Sequence, residues 1–98
     1  IPINIPIITI LYIKSFGNFL KVFTDARMYL ITDTLIHMTS LLPQDFQRTH
    51  KSYIANLSKV AKATRTHVLI ENNKVPVSAS YKIIVTEKME VLAKSRPQ

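Results

Sequence analysis

The chain has no cysteine, a single glycine, Gly17, and only six acidic residues among its 98 positions. Without thiols it has no disulfide framework, no thiolate metal site and no cysteine nucleophile, so its stability must come from packing, and a reducing compartment such as the cytoplasm is the expected setting. One glycine is too few for a Gly-rich phosphate cradle. The acids Asp25, Asp33, Asp45, Glu71, Glu87 and Glu90 are scattered, and only Glu87 and Glu90 share a segment, where they read as the exposed flank of a helix. General acid–base chemistry needs titratable groups that converge, and none do. His37, His50 and His67 fall in different elements without the spacing of a zinc site. No enzyme activity, metal, cofactor or small-molecule substrate is therefore expected. Long hydrophobic runs are also missing. The stretch from Ile7 to Ile13 is interrupted by Thr9 and Tyr12 and falls far short of the ~20 residues that span a bilayer.

What is present is enough apolar material for one core, 47% of residues, in a length that reads as one domain over 1–98. The first residue is not Met, and no basic stretch precedes the apolar opening, so an excised domain is expected rather than a complete protein or a secretory precursor. Thirteen Lys and Arg give a formal charge of +7, unevenly placed: no acid precedes Asp25, and none lies between Asp45 and Glu71, where Arg48, Lys51, Lys59, Lys62 and Arg65 fall. Such an excess points to a polyanionic partner, namely DNA, RNA or an anionic membrane surface, or else to a solvated face that serves solubility alone.

Ile7 to Ile13 and Phe19 to Phe23 are β-branched or alternating and read as strands about a turn at Ser15-Phe16-Gly17-Asn18. Gly17 is expected where the backbone needs positive φ. A turn at Thr24 to Arg27 leads to a strand at Met28 to Ile31. Thr32 or Asp33 then caps a short helix with Leu35, Met38, Leu41 and Leu42 on one face, stopped by Pro43. Phe46 to Thr49, Val60 to Ala63, His67 to Ile70 and Val75 to Val77 are further strands, the last two joined by a hairpin turn at Glu71 to Lys74. From Ser80 the period changes, and Tyr81, Ile84, Val85, Met89 and Leu92 mark the buried face of a C-terminal helix, with residues 94–98 as a frayed tail. The fold class is mainly β, with a short helix after the first strands and a helix at the end.

The segment Phe46-Gln47-Arg48-Thr49-His50-Lys51-Ser52-Tyr53-Ile54-Ala55-Asn56-Leu57 resembles the signature of LytTR domains, in which an aromatic, Arg, His, a basic residue, Ser, Tyr and Asn follow at this spacing. Agreement extends in order through Ile10-Leu11-Tyr12-Ile13, Gly17-Asn18-Phe19, Thr34-Leu35, Val75-Pro76-Val77-Ser78 and Tyr81-Lys82, covering about Ile10 to Leu92. The resemblance implies small stacked antiparallel sheets whose loops enter successive major grooves. It also implies the output domain of a bacterial transcription regulator of the two-component type, controlled by an upstream receiver or membrane domain and binding double-stranded promoter DNA at direct repeats, with a possible homodimer on the DNA.

Carried over by the resemblance, Asn18, Phe19, His50, Lys51 and Ser80 are expected near base edges, and Lys21, Arg48, Ser78 and Lys82 at phosphates. The chain departs from the family in the third loop, where Ala79 and Ser80 stand in a segment that commonly holds an Arg, and beside the first strand, where Thr9 and Lys14 replace acids. Other readings stand beside these. Arg48 has an ion pair with Asp45 as its alternative. Tyr53 reads as core, and Asn56 as a turn-former bonding the backbone. Lys59, Lys62 and Arg65 are nonspecific phosphate contacts or solvated charge. A β-rich protein-interaction module is the principal rival function, and a single-stranded RNA binder stacking bases on Tyr12, Phe16 and Phe19 is a third.

Overall fold

The computed structural model describes residues 4–95. Strands β1 (Ile10–Phe16), β2 (Phe19–Thr24) and β3 (Met28–Ile31) precede helix α1 (Leu35–Leu41), followed by β4 (Phe46–His50) and β5 (Tyr53–Asn56). Strands β6 (Lys62–Ala63), β7 (His67–Ile70) and β8 (Asn73–Pro76) come next, and helix α2 (Lys82–Ser95) closes the chain. Short 3₁₀ turns lie at Ile7–Thr9, Leu57–Lys59 and Ala79–Tyr81. The strands form a five-stranded antiparallel sheet in the order β3-β2-β1-β5-β4 and a three-stranded sheet in the order β6-β7-β8. The mainly β class expected from the sequence is the one observed.

Turn chemistry explains where the strands reverse. Gly17 sits at φ +60° between β1 and β2, and an added Cβ would meet no atom within 4 Å, so glycine is favoured there by backbone conformation rather than by space. The β7–β8 hairpin turns on Glu71 and Asn72, at φ 47° and 71°. Such a two-residue turn requires left-handed backbone at both positions. No glycine relieves it, but the Asn73 side chain donates to the carbonyls of Ile70 and Glu71 at 3.1 and 3.2 Å. Between β2 and β3 the Thr24 hydroxyl donates to Arg27 O at 2.7 Å and accepts from the Ala26 and Arg27 amides.

Two cores lie on opposite faces of the larger sheet. Ile13, Leu20, Val22, Ile31 and Ile54 pack against Leu35 and Met38 of α1. Tyr12 and Ala55 join Val68, Ile70, Val75 and Val85 of the smaller sheet and α2, with Met89 and Leu92 partly buried at the margin. Strict alternation would send Leu11 to the α1 side, yet the β1–β2 register shifts between Ile10 and Tyr12, and Leu11 and Tyr12 both enter the second core. The bulge lets four consecutive buried residues serve two cores. The β1–β5 ladder ends at the Tyr12–Ala55 pair, and there the buried Asn56 side chain takes over. Its Nδ2 donates to Ile10 O at 2.9 Å, while its Oδ1 accepts from the Ser58 amide at 3.2 Å and the Ser58 hydroxyl at 2.6 Å. The backbone-bonding reading of Asn56 is what the structure shows.

Several local expectations are corrected. Ile7–Thr9 is a 3₁₀ turn rather than the start of β1: the Thr9 amide and hydroxyl both bond Pro6 O. The cap of α1 is Thr34, whose hydroxyl accepts from the His37 amide, and neither Thr32 nor Asp33 fills that position. Leu41 is exposed, because the residue before Pro43 must leave helical backbone and Leu42 does so at ψ 152°. Ile84 is also exposed; Val85 is the residue that α2 buries. Val60 and Ala61 lie outside β6. Tyr53–Asn56, not read as a strand from sequence, pairs with both β1 and β4. Of the expected frayed tail, Lys94 and Ser95 belong to α2, and 96–98 lie outside the described residues.

Thr49 is fully buried, and its hydroxyl has no hydrogen-bond partner among the described residues. A buried hydroxyl without a partner costs about 1–3 kcal/mol. Thr49→Val keeps the shape and removes the orphan, so chemical denaturation should show a stability gain of about 1 kcal/mol; a loss of similar size would mean the hydroxyl is satisfied.

Candidate nucleic-acid interface

Two backbone hydrogen bonds gather three segments that are far apart in sequence. The Ser15 amide donates to Ser52 O at 2.9 Å, joining the β1–β2 hairpin to the β4–β5 turn, and the Ser78 amide donates to Thr49 O at 2.8 Å, joining the segment after β8 to β4. The β4–β5 turn is thus flanked on either side. Lys51 stands exposed at its tip, and Asn18, Phe19 and Ser80 are exposed on the flanking segments.

Arg48 and His50 build the central turn from within. The Arg48 guanidinium donates from Nη2 to Lys51 O at 2.8 Å and from Nε to His50 O at 3.3 Å, and its carbon lies 5.9 Å from the centre of the Tyr81 ring. The proposed pairing with Asp45 is not the one observed, because the carbonyls of the tight turn converge on the guanidinium first. His50 Nδ1 accepts from the Ser52 amide at 3.1 Å, and its ring meets Tyr53 edge-on at 5.6 Å. An Nδ1 that accepts carries no proton, so the free Nε2–H is the group that His50 can offer as a donor.

On the α1 side of the hairpin a cleft of about 360 Å³ brings Gly17, Asn18 and Phe19 together with Arg48, Lys51 and the start of α1. Asp33 is the one acid lining it. Its carboxylate accepts from the Thr34 amide at 2.7 Å and meets His37 Nδ1 at 2.9 and 3.0 Å. The Thr34 backbone bond, then the His37 contact, hold its pKa below the ordinary carboxylate value despite opposing desolvation. This His37–Asp33 contact is the only pairing of a basic with an acidic side chain within 4.0 Å among the described residues. The cleft therefore holds two cations and a carboxylate whose charge is engaged by its own helix.

The remaining candidates lie around this centre. Ser78 precedes the 3₁₀ turn, and its hydroxyl is 3.3 Å from that of Ser80. Lys82 is exposed as the first residue of α2. Lys21 is half-buried, with Nζ 4.2 Å from the centre of the Phe16 ring. Tyr12 cannot serve as a base-stacking platform. It is buried against Phe23 at a ring separation of 4.4 Å, and burial, reinforced by Tyr53, raises its phenol pKa. Phe16 and Phe19 are exposed. Lys59 is half-buried, while Lys62 of β6 and Arg65 in the β6–β7 connection are exposed. Sequence reasoning missed the cleft-lining Asp33 and the locking of the turn by Arg48; the latter had a signal, an Arg three residues before a turn-tip Lys.

Cationic and polar loops gathered around one turn of a β fold are the groups by which a nucleic-acid-binding domain meets phosphates and base edges. Comparison with known proteins makes this specific. Residues 2–90 match the model of the LytTr DNA-binding domain, and the chain belongs to the LytTR family. It is similar to the sensory transduction protein LytT of Bacillus cereus, 33% identical over 79 residues, 74% of this chain and 32% of that protein. LytT of Enterococcus faecalis is 35% identical over 77 residues, 71% of this chain and 32% of that one. The chain thus spans about a third of the length of these curated relatives. Its fold is that of a LytTr DNA-binding domain of a methyl-accepting/DNA response regulator from Bacillus cereus, with TM-score 0.79 and 24% identity, covering 89% of this chain and 86% of that one. No helix among the described residues is long and apolar enough to cross a membrane.

Asp33 gives a pH prediction with a defined sign. Its lowered pKa means that the folded state favours the carboxylate, so its contribution is complete above the unfolded value of about 3.9 and is lost as pH falls through the lower folded value. Asp33→Asn should therefore lower stability near neutral pH and lose less than the unmodified chain below about pH 4. Parallel urea titrations at both pH values check this, and identical pH slopes would remove Asp33 from the balance.

Proposed function

We propose that this domain reads double-stranded promoter DNA in a sequence-specific manner, as the non-catalytic output half of a bacterial response regulator acting in the cytoplasm. The observation that carries the reading is the pair of backbone bonds, Ser15 to Ser52 and Ser78 to Thr49, that holds three family-matched segments around the exposed Lys51. In this reading Lys51 and the Asn18-Phe19 turn approach base edges, with His50 and Ser80 beside them. Arg48, Lys21, Ser78 and Lys82 then position the phosphate backbone. Three donors of the Arg48 guanidinium remain after its two carbonyl bonds, enough to meet a phosphate while still holding the turn.

The regulatory context is proposed from the relatives. LytT is named a sensory transduction protein and extends well beyond the matched region, which supports an upstream receiver or membrane domain that controls this one. Two copies would sit on neighbouring direct repeats and meet only when both are bound.

The mechanism predicts a contrast between two lysines. Lys51→Ala should weaken a selected duplex by about 1–3 kcal/mol and relax preference at one position, whereas Lys62→Ala should weaken all duplexes alike. Fluorescence anisotropy with a duplex enriched from a random pool, measured beside scrambled DNA, separates the two. Equal losses on both duplexes for both variants would refute base reading by Lys51. A protein-interaction module would instead give no enriched site and little salt dependence.

A further inference from the structure

Lys14 and Lys21 stand directly opposite each other in the β1–β2 register. Like charges so placed are destabilising. No carboxylate pairs with either: the only contact of a basic with an acidic side chain among the described residues is that of His37 with Asp33. Instead each ammonium is held over a ring, Lys21 Nζ 4.2 Å from the centre of Phe16 and Lys14 Nζ 5.6 Å from that of Tyr53, the residue opposite Lys14 on β5. Aromatic faces attract the cations without neutralising them. The result is a fixed pair of positive charges with nothing negative between them.

The pair occupies a distinct flank of the hairpin. Its neighbours Ile13 and Val22 face α1, so alternation along the strands places Lys14 and Lys21 on the opposite face of the sheet. The cleft that holds Arg48 and Lys51 lies on the α1 side of the same hairpin. The Gly17-Asn18 tip therefore projects between two cationic flanks. At about 3.3 Å per residue, Lys14 and Lys21 lie roughly 10 Å behind the tip, and a major groove is about 8.5 Å deep. A tip inserted to the floor brings these ammonium groups to the lip of the groove, where the phosphates run.

We propose that Lys14 and Lys21 form an anion clamp for one phosphate of the duplex, so that the hairpin stands in the major groove with its tip at the bases and phosphate contacts on both flanks. Phe16 and Tyr53 are positioning residues in this arrangement, aiming the ammonium groups while leaving their charge available. The inference rests on the DNA-binding reading above and adds Lys14, the second flank and the shared phosphate to it.

The test uses Lys14→Gln, Lys21→Gln and the double variant of this chain, with anisotropy titrations of the selected duplex and of random DNA across salt. The double variant should lower the slope of log K against log salt by about 0.9, the count for one phosphate, each single variant should lower it by less, and all three should weaken both duplexes equally. Thermal melting at low salt should be unchanged or higher, because the repulsion is relieved. Uncharged methylphosphonate substitutions should reveal one phosphate whose neutralisation weakens the unmodified chain but not the double variant. An unchanged salt slope together with raised melting would overturn the clamp and leave the pair as tolerated surface charge, while Lys51→Ala still weakened the selected duplex. Failure of the unmodified chain to bind any duplex would overturn the DNA reading and the clamp with it. Loss of melting temperature in both single variants would show that the lysines serve the fold.

Discussion

The structure depends on β1 being shared by two cores. Ile10 and Ile13 are committed to the α1 side, Leu11 and Tyr12 to the smaller sheet and α2, and a bulge between Ile10 and Tyr12 makes the switch within four residues. A bulge leaves backbone groups without ladder partners. Asn56 supplies a bond to the Ile10 carbonyl where pairing with β5 has ended, and the same side chain caps the 3₁₀ turn that carries the chain toward the smaller sheet. One buried amide thus couples the bulge, the end of the five-stranded sheet and the departure to the second. Stacking of Tyr12 on Phe23 at 4.4 Å fixes the far side of the strand.

That coupling explains why the candidate interface is formed in the unbound chain. The central turn hangs between β4 and β5, held by Arg48 to the carbonyls of His50 and Lys51 and by Ser52 to His50 Nδ1. Its neighbours are attached through backbone bonds to strands whose other faces lie in the cores. Groups that are already ordered lose less conformational freedom on binding. The exposed lysine at the tip retains its own freedom, while its Cα is anchored by the carbonyl that Arg48 holds.

The fold was legible where a local rule had a single solution. Gly17 marked the first hairpin, the change of period after Ser80 marked α2, and the alternation around Lys21 marked β2. It was less legible where tertiary context chose between equals. Ile7 to Ile13 is uniformly β-branched, but Pro6 and the Thr9 hydroxyl close a 3₁₀ turn over its first part. Thr32, Asp33 and Thr34 are all capping types, and the choice of Thr34 frees Asp33 to engage His37. Tyr53-Ile54-Ala55-Asn56 is short and carries a fully buried alanine in the second core, and no periodicity at four residues announces a strand between two others. Of the candidate site, the segments were legible through their resemblance to a family. Their convergence was not, because it is made by backbone bonds between residues 37 and 29 positions apart, Ser15 with Ser52 and Ser78 with Thr49.

The charge distribution bears on how the three loops divide the work in the proposed reading. The first hairpin has cations on both flanks and the central turn has Lys51 at its tip, whereas the third segment offers Ala79, two hydroxyls that lie 3.3 Å apart, and Lys82 a step beyond. A hydroxyl both donates and accepts, so it meets a phosphate oxygen well but separates bases poorly, whereas a cation at the groove floor favours the guanine acceptors. Discrimination should therefore concentrate in the half-site contacted by the first two loops, and the third should act mainly as an anchor. Asp33 sharpens the division: in the cleft beside Asn18 and Lys51 a free carboxylate would repel phosphate, and its bonds to the Thr34 amide and His37 keep its oxygens turned toward its own helix.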